Sequence, residues 1–143
     1  MSSVKRTRSF SARFSAEVVD NLEAHSSRLG ESKARLAERL IEEGLQVDQF
    51  PGIIFRSGPT GRRAGVAGGP DVWEIVRDLK GAVAEGVRDP IEAVASATGL
   101  DRTRVELAAG YYAVYPAAVD ERIQMEEETV ERLRQALGIE PAA

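Results

Sequence analysis

The stretch RSFSARF, Arg8 to Phe14, alternates between two kinds of side chain and then gives way to a helical pattern, with no second strand near it in the sequence. Side chains alternate across a strand, so Arg8, Phe10, Ala12 and Phe14 share one face and Thr7, Ser9, Ser11 and Arg13 the other. Ser15 reads as a helix N-cap, with Glu17 in the first turn where the helix dipole favours an anion. Val18, Val19, Leu22, Ser26 and Leu29 then follow helical spacing up to Gly30, a C-terminal stop. Ser32 caps a second helix with an apolar stripe of Leu36, Ala37, Leu40, Ile41 and Leu45.

A lone strand leaves its ladder groups unpaired, and two short helices bury too little apolar surface to stand alone. The unit therefore calls for a second copy. A two-fold axis beside the strand pairs it antiparallel with itself, sends Phe10 and Phe14 of both chains into a shared core and turns Ser9, Ser11 and Arg13 outward. A two-stranded ribbon of this kind fits the major groove of DNA.

Charge distribution agrees with that expectation better than the total does. The 143 residues carry a formal net charge of -4, but the first fourteen hold Lys5, Arg6, Arg8 and Arg13 and no acid. Lys5, Arg6 and Arg8 are expected to meet phosphate. With 43% hydrophobic residues the chain is expected to fold. There is no cysteine, and the single His25, near the apolar edge of the first helix, is read as structural, so no metal site and no cofactor are expected. No apolar run approaches the ~20 residues of a membrane span, and there is no secretory signal, so a soluble cytoplasmic protein with no membrane association is expected. Neither H-E-x-x-H nor G-x-S-x-G occurs, and the expectation is that this is not an enzyme.

From Lys5 to Val47 the chain resembles the ribbon-helix-helix repressors, the class that includes Arc, MetJ and many plasmid-encoded antitoxins. The resemblance lies in x-F-x-x-R-F-S-x-E-V-V and in the L-G-x-S turn between the helices. It implies a homodimer on double-stranded operator DNA, with Ser9, Ser11 and Arg13 reading bases and the backbone N–H groups of Ser32 and Lys33 clamping phosphate. Arg13 suits a bidentate bond to guanine, while the serines discriminate less.

Glycines and prolines cluster from Pro51 to Pro70, leaving room for two short strands, Ile53 to Arg56 and Arg63 to Val66, joined by a turn. No phosphate-loop motif is present. The turn gathers Arg56, Arg62 and Arg63 with no acid until Asp71, a cluster for phosphate or an acidic partner, or simply a solvated loop.

Helical spacing resumes at Asp71, with Trp73 read as a core anchor. Asp89-Pro90 starts another helix, and Gly99 with Asp101 marks the turn and cap of a helix-turn-helix. Arg102 and Arg104 would lie near the start of its second helix, where a groove reader puts its contacts. Against DNA contact there, residues 51 to 143 hold 11 basic and 15 acidic residues, a difference of -4 that accounts for the whole net charge. The tail from Ala117 to Leu137 reads as one amphipathic helix whose apolar positions need cover from its own domain, a second copy or a partner.

Residues 64 to 123 also resemble a small helix-turn-helix domain found in bacterial antitoxins, through G-G-P-D-V-W-E-I-V, D-P-I-E-A-V-A and R-V-E-L-A-A-G-Y-Y-A-V-Y-P-A-A-V-D. Before Trp73 that family has a G-T-R turn where this chain has Ala-Gly-Gly-Pro, so that arginine's role does not carry over. Tyr111, Tyr112 and Tyr115 fall in the matching stretch and are read as packing residues. Members commonly accompany PIN-type ribonuclease toxins. That partner has a carboxylate-lined site, against which Arg56, Arg62 and Arg63 would be set.

The expected protein is mainly α. Residues 1-48 form a ribbon-helix-helix dimerisation and DNA-binding domain, 49-70 a Gly/Pro-rich linker or short hairpin, and 71-143 a helical domain with a helix-turn-helix and a C-terminal amphipathic helix. The expected function is an antitoxin that represses its own operon and neutralises a PIN-type nuclease. The alternative is a free-standing regulator with no toxin partner.

Overall fold

The computed structural model describes residues 5–140. Among them are six helices and one two-stranded antiparallel sheet: α1 (Ala16–Leu29), α2 (Lys33–Gln49), β1 (Ile53–Arg56), β2 (Arg63–Val66), α3 (Val72–Ala84), α4 (Pro90–Thr98), α5 (Arg102–Val114) and α6 (Pro116–Leu137). The chain divides into two compact units between Glu43 and Gly44, within α2. No helix of the described residues is long and apolar enough to cross a membrane.

In the first unit the cap residues set the helix ends. Ser15 has extended backbone, and its Oγ accepts from the Val18 N–H at 3.3 Å, satisfying one of the donors a helix start leaves over. Gly30 closes α1 in the left-handed region at φ 64°, its N–H directed to the carbonyls of Ser26 and Ser27. Two residues on, Ser32 Oγ accepts from the Arg35 N–H at 3.2 Å and α2 begins. Leu36 is the one buried hydrophobic residue of this unit among the described residues. Phe14, Val18, Leu22, Ala37, Leu40 and Ile41 instead line an open groove between α1 and α2.

Residues 5 to 15 form no strand within the single chain. Phe10 is 84% exposed and Phe14 61%, although burying a phenylalanine is worth roughly 1.5–3 kcal/mol. The alternation of Arg8 to Phe14 thus has neither a ladder nor a core inside one chain.

The second unit builds its own core. The hairpin pairs Ile53 with Val66 and Arg56 with Arg63. Ile53 and Val66 are buried with Val72, Ile75 and Val76 of α3, Val94 and Ala95 of α4, Val105, Ala108 and Tyr111 of α5, and Val119 and Ile123 of α6. Entry to β1 is fixed by Gly52: its φ is 103°, and a Cβ there would stand 2.8 Å from Leu107 Cδ2. Asp89 and Asp101 cap α4 and α5 by accepting from the N–H groups of Glu92 and Arg104, at 3.1 and 2.8 Å. Between them Gly99 adopts φ 74°, the left-handed turn expected there. Pro116 ends α5, because a residue before proline is pushed out of helical backbone, and Tyr115 sits at φ -120°, ψ 56°. The three tyrosines pack and bond internally. Tyr111 OH donates to Gln46 Oε1 at 2.6 Å, Tyr115 OH to Gln49 Oε1 at 2.6 Å and Tyr112 OH to Asp120 Oδ1 at 2.8 Å.

Candidate functional site

Three groups of side chains were candidates from sequence, and the structure treats them differently. The first is the N-terminal segment. Lys5, Arg6, Arg8, Ser9, Ser11 and Arg13 are all exposed, in a segment without regular secondary structure ahead of the α1 cap. Lys5 Nζ lies 3.8 Å from Glu42 Oε1, an exposed pair of little energetic weight that phosphate can displace. The turn between α1 and α2 puts Ser32 at the start of α2, where the first N–H groups lack intrahelical acceptors and the dipole favours an anion. Lys33 Nζ is drawn to Glu23 at 3.2 Å, which leaves the backbone rather than the ammonium as the expected phosphate contact. His25 Nδ1 is 3.0 Å from Arg28 Nη2, a local pair on α1.

The second group is the hairpin, where two of the three arginines are paired with an acid of the same unit. Arg56 and Arg63 stand opposite each other in the ladder, an arrangement of like charges that is unfavourable alone. Asp71 resolves it. Its buried carboxylate accepts from Arg56 Nη1 at 2.8 Å through Oδ1 and from Arg63 Nε through Oδ2, with Trp73 Nε1 also 3.3 Å from Oδ2. Arg56 Nη2 donates further to the carbonyls of Val66 at 2.9 Å and Gly69 at 2.7 Å. To reach them its guanidinium crosses β2 at Gly65, where a Cβ would come within 2.8 Å of Arg56 Cζ. Burial alone would raise the Asp71 pKa, but the hydrogen bonds from Arg63 and Arg56 and the charge of Arg63 outweigh it and hold the carboxyl below its ordinary value. Arg56 and Arg63 are thus internal clamps between the hairpin and α3. Arg62 is exposed at the turn, its Nη1 donating to Ser57 Oγ at 2.8 Å.

The third group is the start of α5. Arg102 is set among carboxylates: Glu106 Oε1 at 2.9 Å, Asp89 Oδ2 at 2.9 Å and Glu92 Oε2 at 3.6 Å. The hydrogen bonds it donates to Asp89 and then Glu106 raise its pKa, and accepting from Arg102 lowers that of Asp89. Arg104 Nη1 is 3.9 Å from Asp101 Oδ2. A duplex approaching here would meet that acidic surround, which weighs against Arg102 and Arg104 as a second DNA site.

Asp71 is the residue sequence reasoning missed, and Arg122 another. Arg122 reaches from α6 to the hairpin turn, donating to the Thr60 carbonyl at 2.9 Å and to Thr60 Oγ1. The available signal for Asp71 was that it is the first acid after the three arginines, eight residues beyond Arg63. Among the described residues no group of three His, Asp or Glu is arranged to hold a metal ion.

No protein-family model matches the chain, and neither a curated protein nor a solved structure matches it significantly.

Proposed function

We propose that this chain is a DNA-binding regulator that dimerises through its N-terminal strand and reads an operator with the resulting ribbon. The observation that carries this reading is the exposed apolar face of the first unit: Phe10, Phe14, Val18, Leu40 and Ile41 are all uncovered within one chain. A two-fold partner supplies the missing half of both ladder and core. In the paired state Ser9, Ser11 and Arg13 point into the major groove, Lys5, Arg6 and Arg8 approach phosphate, and the N–H groups of Ser32 and Lys33 cap a phosphate at the start of α2. In this reading the α4–α5 pair is a helix-turn-helix that packs, since its leading arginines are held by acids.

In the same proposal the second unit makes the chain an antitoxin, acting on a PIN-type nuclease, as the resemblance of residues 64 to 123 implies. The engagement of Arg56 and Arg63 by Asp71 favours a second reading, a free-standing regulator, because it withdraws two of the three guanidiniums assigned to a toxin's acidic site. One experiment addresses both. Full-length protein is titrated by fluorescence anisotropy against DNA from upstream of its own reading frame, with any adjacent nuclease co-expressed in a growth assay. Salt-sensitive specific binding together with rescue of growth supports the antitoxin. Specific binding without rescue supports the free-standing regulator, and no specific binding removes both.

A further inference from the structure

The distal half of α6 is an unpartnered apolar stripe with a charge pattern of its own. Ile123 is buried in the core of the second unit, yet every residue from Glu127 to Glu140 is exposed. From Gln124 to Leu137 the helix runs on for roughly 20 Å. Ile123, Val130 and Leu137 recur every seven residues with Leu133 between them, the spacing of a coiled-coil seam. Leu133 is 57% exposed and Leu137 63%. The seam continues into an open groove bordered by Trp73, Arg77 and Ile123.

We propose that a second copy of this chain covers this stripe, with its α6 running antiparallel. Charge selects both the occupant and its direction. Glu127 and Arg134, seven residues apart, lie on one flank of the seam, and Thr129 and Ala136, small and uncharged, lie on the other. An antiparallel partner related by a two-fold axis between Val130 and Leu133 sets Glu127 of each copy against Arg134 of the other. The uncharged flanks then meet closely. Of the remaining charges, Glu128, Glu131 and Arg132 lie away from the seam, so the Glu127–Arg134 flank decides the direction. A parallel partner would stack Glu126 on Glu126 inside the seam. A foreign basic helix would satisfy the glutamates but oppose Arg132 and Arg134. Two heptads are marginal alone, so the contact depends on concentration unless another interface already holds the copies together, which raises the effective concentration.

The full chain has no cysteine, so single cysteines report the geometry cleanly. Val130→Cys places thiols near the two-fold axis, whereas Leu137→Cys places them roughly 16 Å apart along the helices when the pair is antiparallel. With a short bis-maleimide, Val130→Cys chains are expected to cross-link several-fold faster than Leu137→Cys chains. Adding Glu127→Arg to Val130→Cys should slow cross-linking several-fold, and adding Arg134→Glu as well should restore it, a recovery that also shows the helix intact. Equal rates for the two cysteines, no cross-linking of either, or no recovery in the double reversal would each overturn the proposal.

Discussion

Arg56 Nη1 donates to Asp71 Oδ1 at 2.8 Å, tying the last residue of β1 to the N-cap of α3. With Arg63 on the other carboxylate oxygen, Asp71 bridges two guanidiniums that the ladder sets face to face and offsets their repulsion. Removing the buried carboxylate leaves two half-buried guanidiniums without their counter-charge, although Arg56 keeps its bonds to the Val66 and Gly69 carbonyls, so Asp71→Asn is expected to lower unfolding free energy by roughly 1–3 kcal/mol. Urea denaturation of the two proteins at neutral pH checks this. A loss within a few tenths of a kcal/mol would mean the cluster is decorative.

The same carboxylate predicts an acid dependence. Its folded pKa lies below the ordinary value of 3.8, so its contribution is complete above the unfolded pKa and is lost as pH falls through the folded one. Wild type should therefore lose stability on acidification below that range more steeply than Asp71→Asn, with the two curves converging at the acid end. Parallel curves would contradict the assignment.

How much of this was legible in the sequence depends on how far apart the interacting residues are. The caps at Ser15, Ser32, Asp89 and Asp101, the turns at Gly30 and Gly99 and the hairpin strands were legible, because each signal lies within four residues of what it controls. The Asp71 cluster was not. Arg56 is fifteen residues away, and nothing local marks a loop arginine as spoken for. The pairing of Arg102 was hidden for the same reason, its partner Asp89 lying thirteen residues back on the far side of a turn. The boundary between units inside α2 was also hidden, since helical periodicity shows which face is apolar but not which core covers it.

For the proposed ribbon, Arg13→Ala should weaken specific operator binding by ~1–3 kcal/mol and relax preference at one base pair per half-site, with the dimer preserved. Binding-site selection with both proteins, at one fixed salt concentration, measures each part. Undiminished affinity and an unchanged site would take Arg13 out of base reading.

Lys5, Arg6 and Arg8 act in this account through phosphate, twice per dimer. Replacing all three with alanine should therefore reduce the slope of log affinity against log salt for specific and random DNA alike. An affinity loss confined to the specific site, with the slope preserved, would reassign them to base contact.

If an adjacent nuclease exists, the hairpin arginines should separate by role. Arg62→Ala, at an exposed turn position, is expected to reduce protection in co-expression without lowering stability. Arg56→Ala and Arg63→Ala are expected to lower stability first. Equal stability losses at all three positions would remove the turn from partner contact.

In the proposed dimer, residues 8 to 14 become a strand only against a second copy. Amide hydrogen exchange of the full chain, followed residue by residue at two protein concentrations without DNA, tests it most directly. Protection is expected at alternate amides between Arg8 and Phe14, as in an antiparallel ladder, rising with concentration. Exchange at the unprotected rate throughout this segment, at concentrations where the chain is demonstrably dimeric, would contradict it.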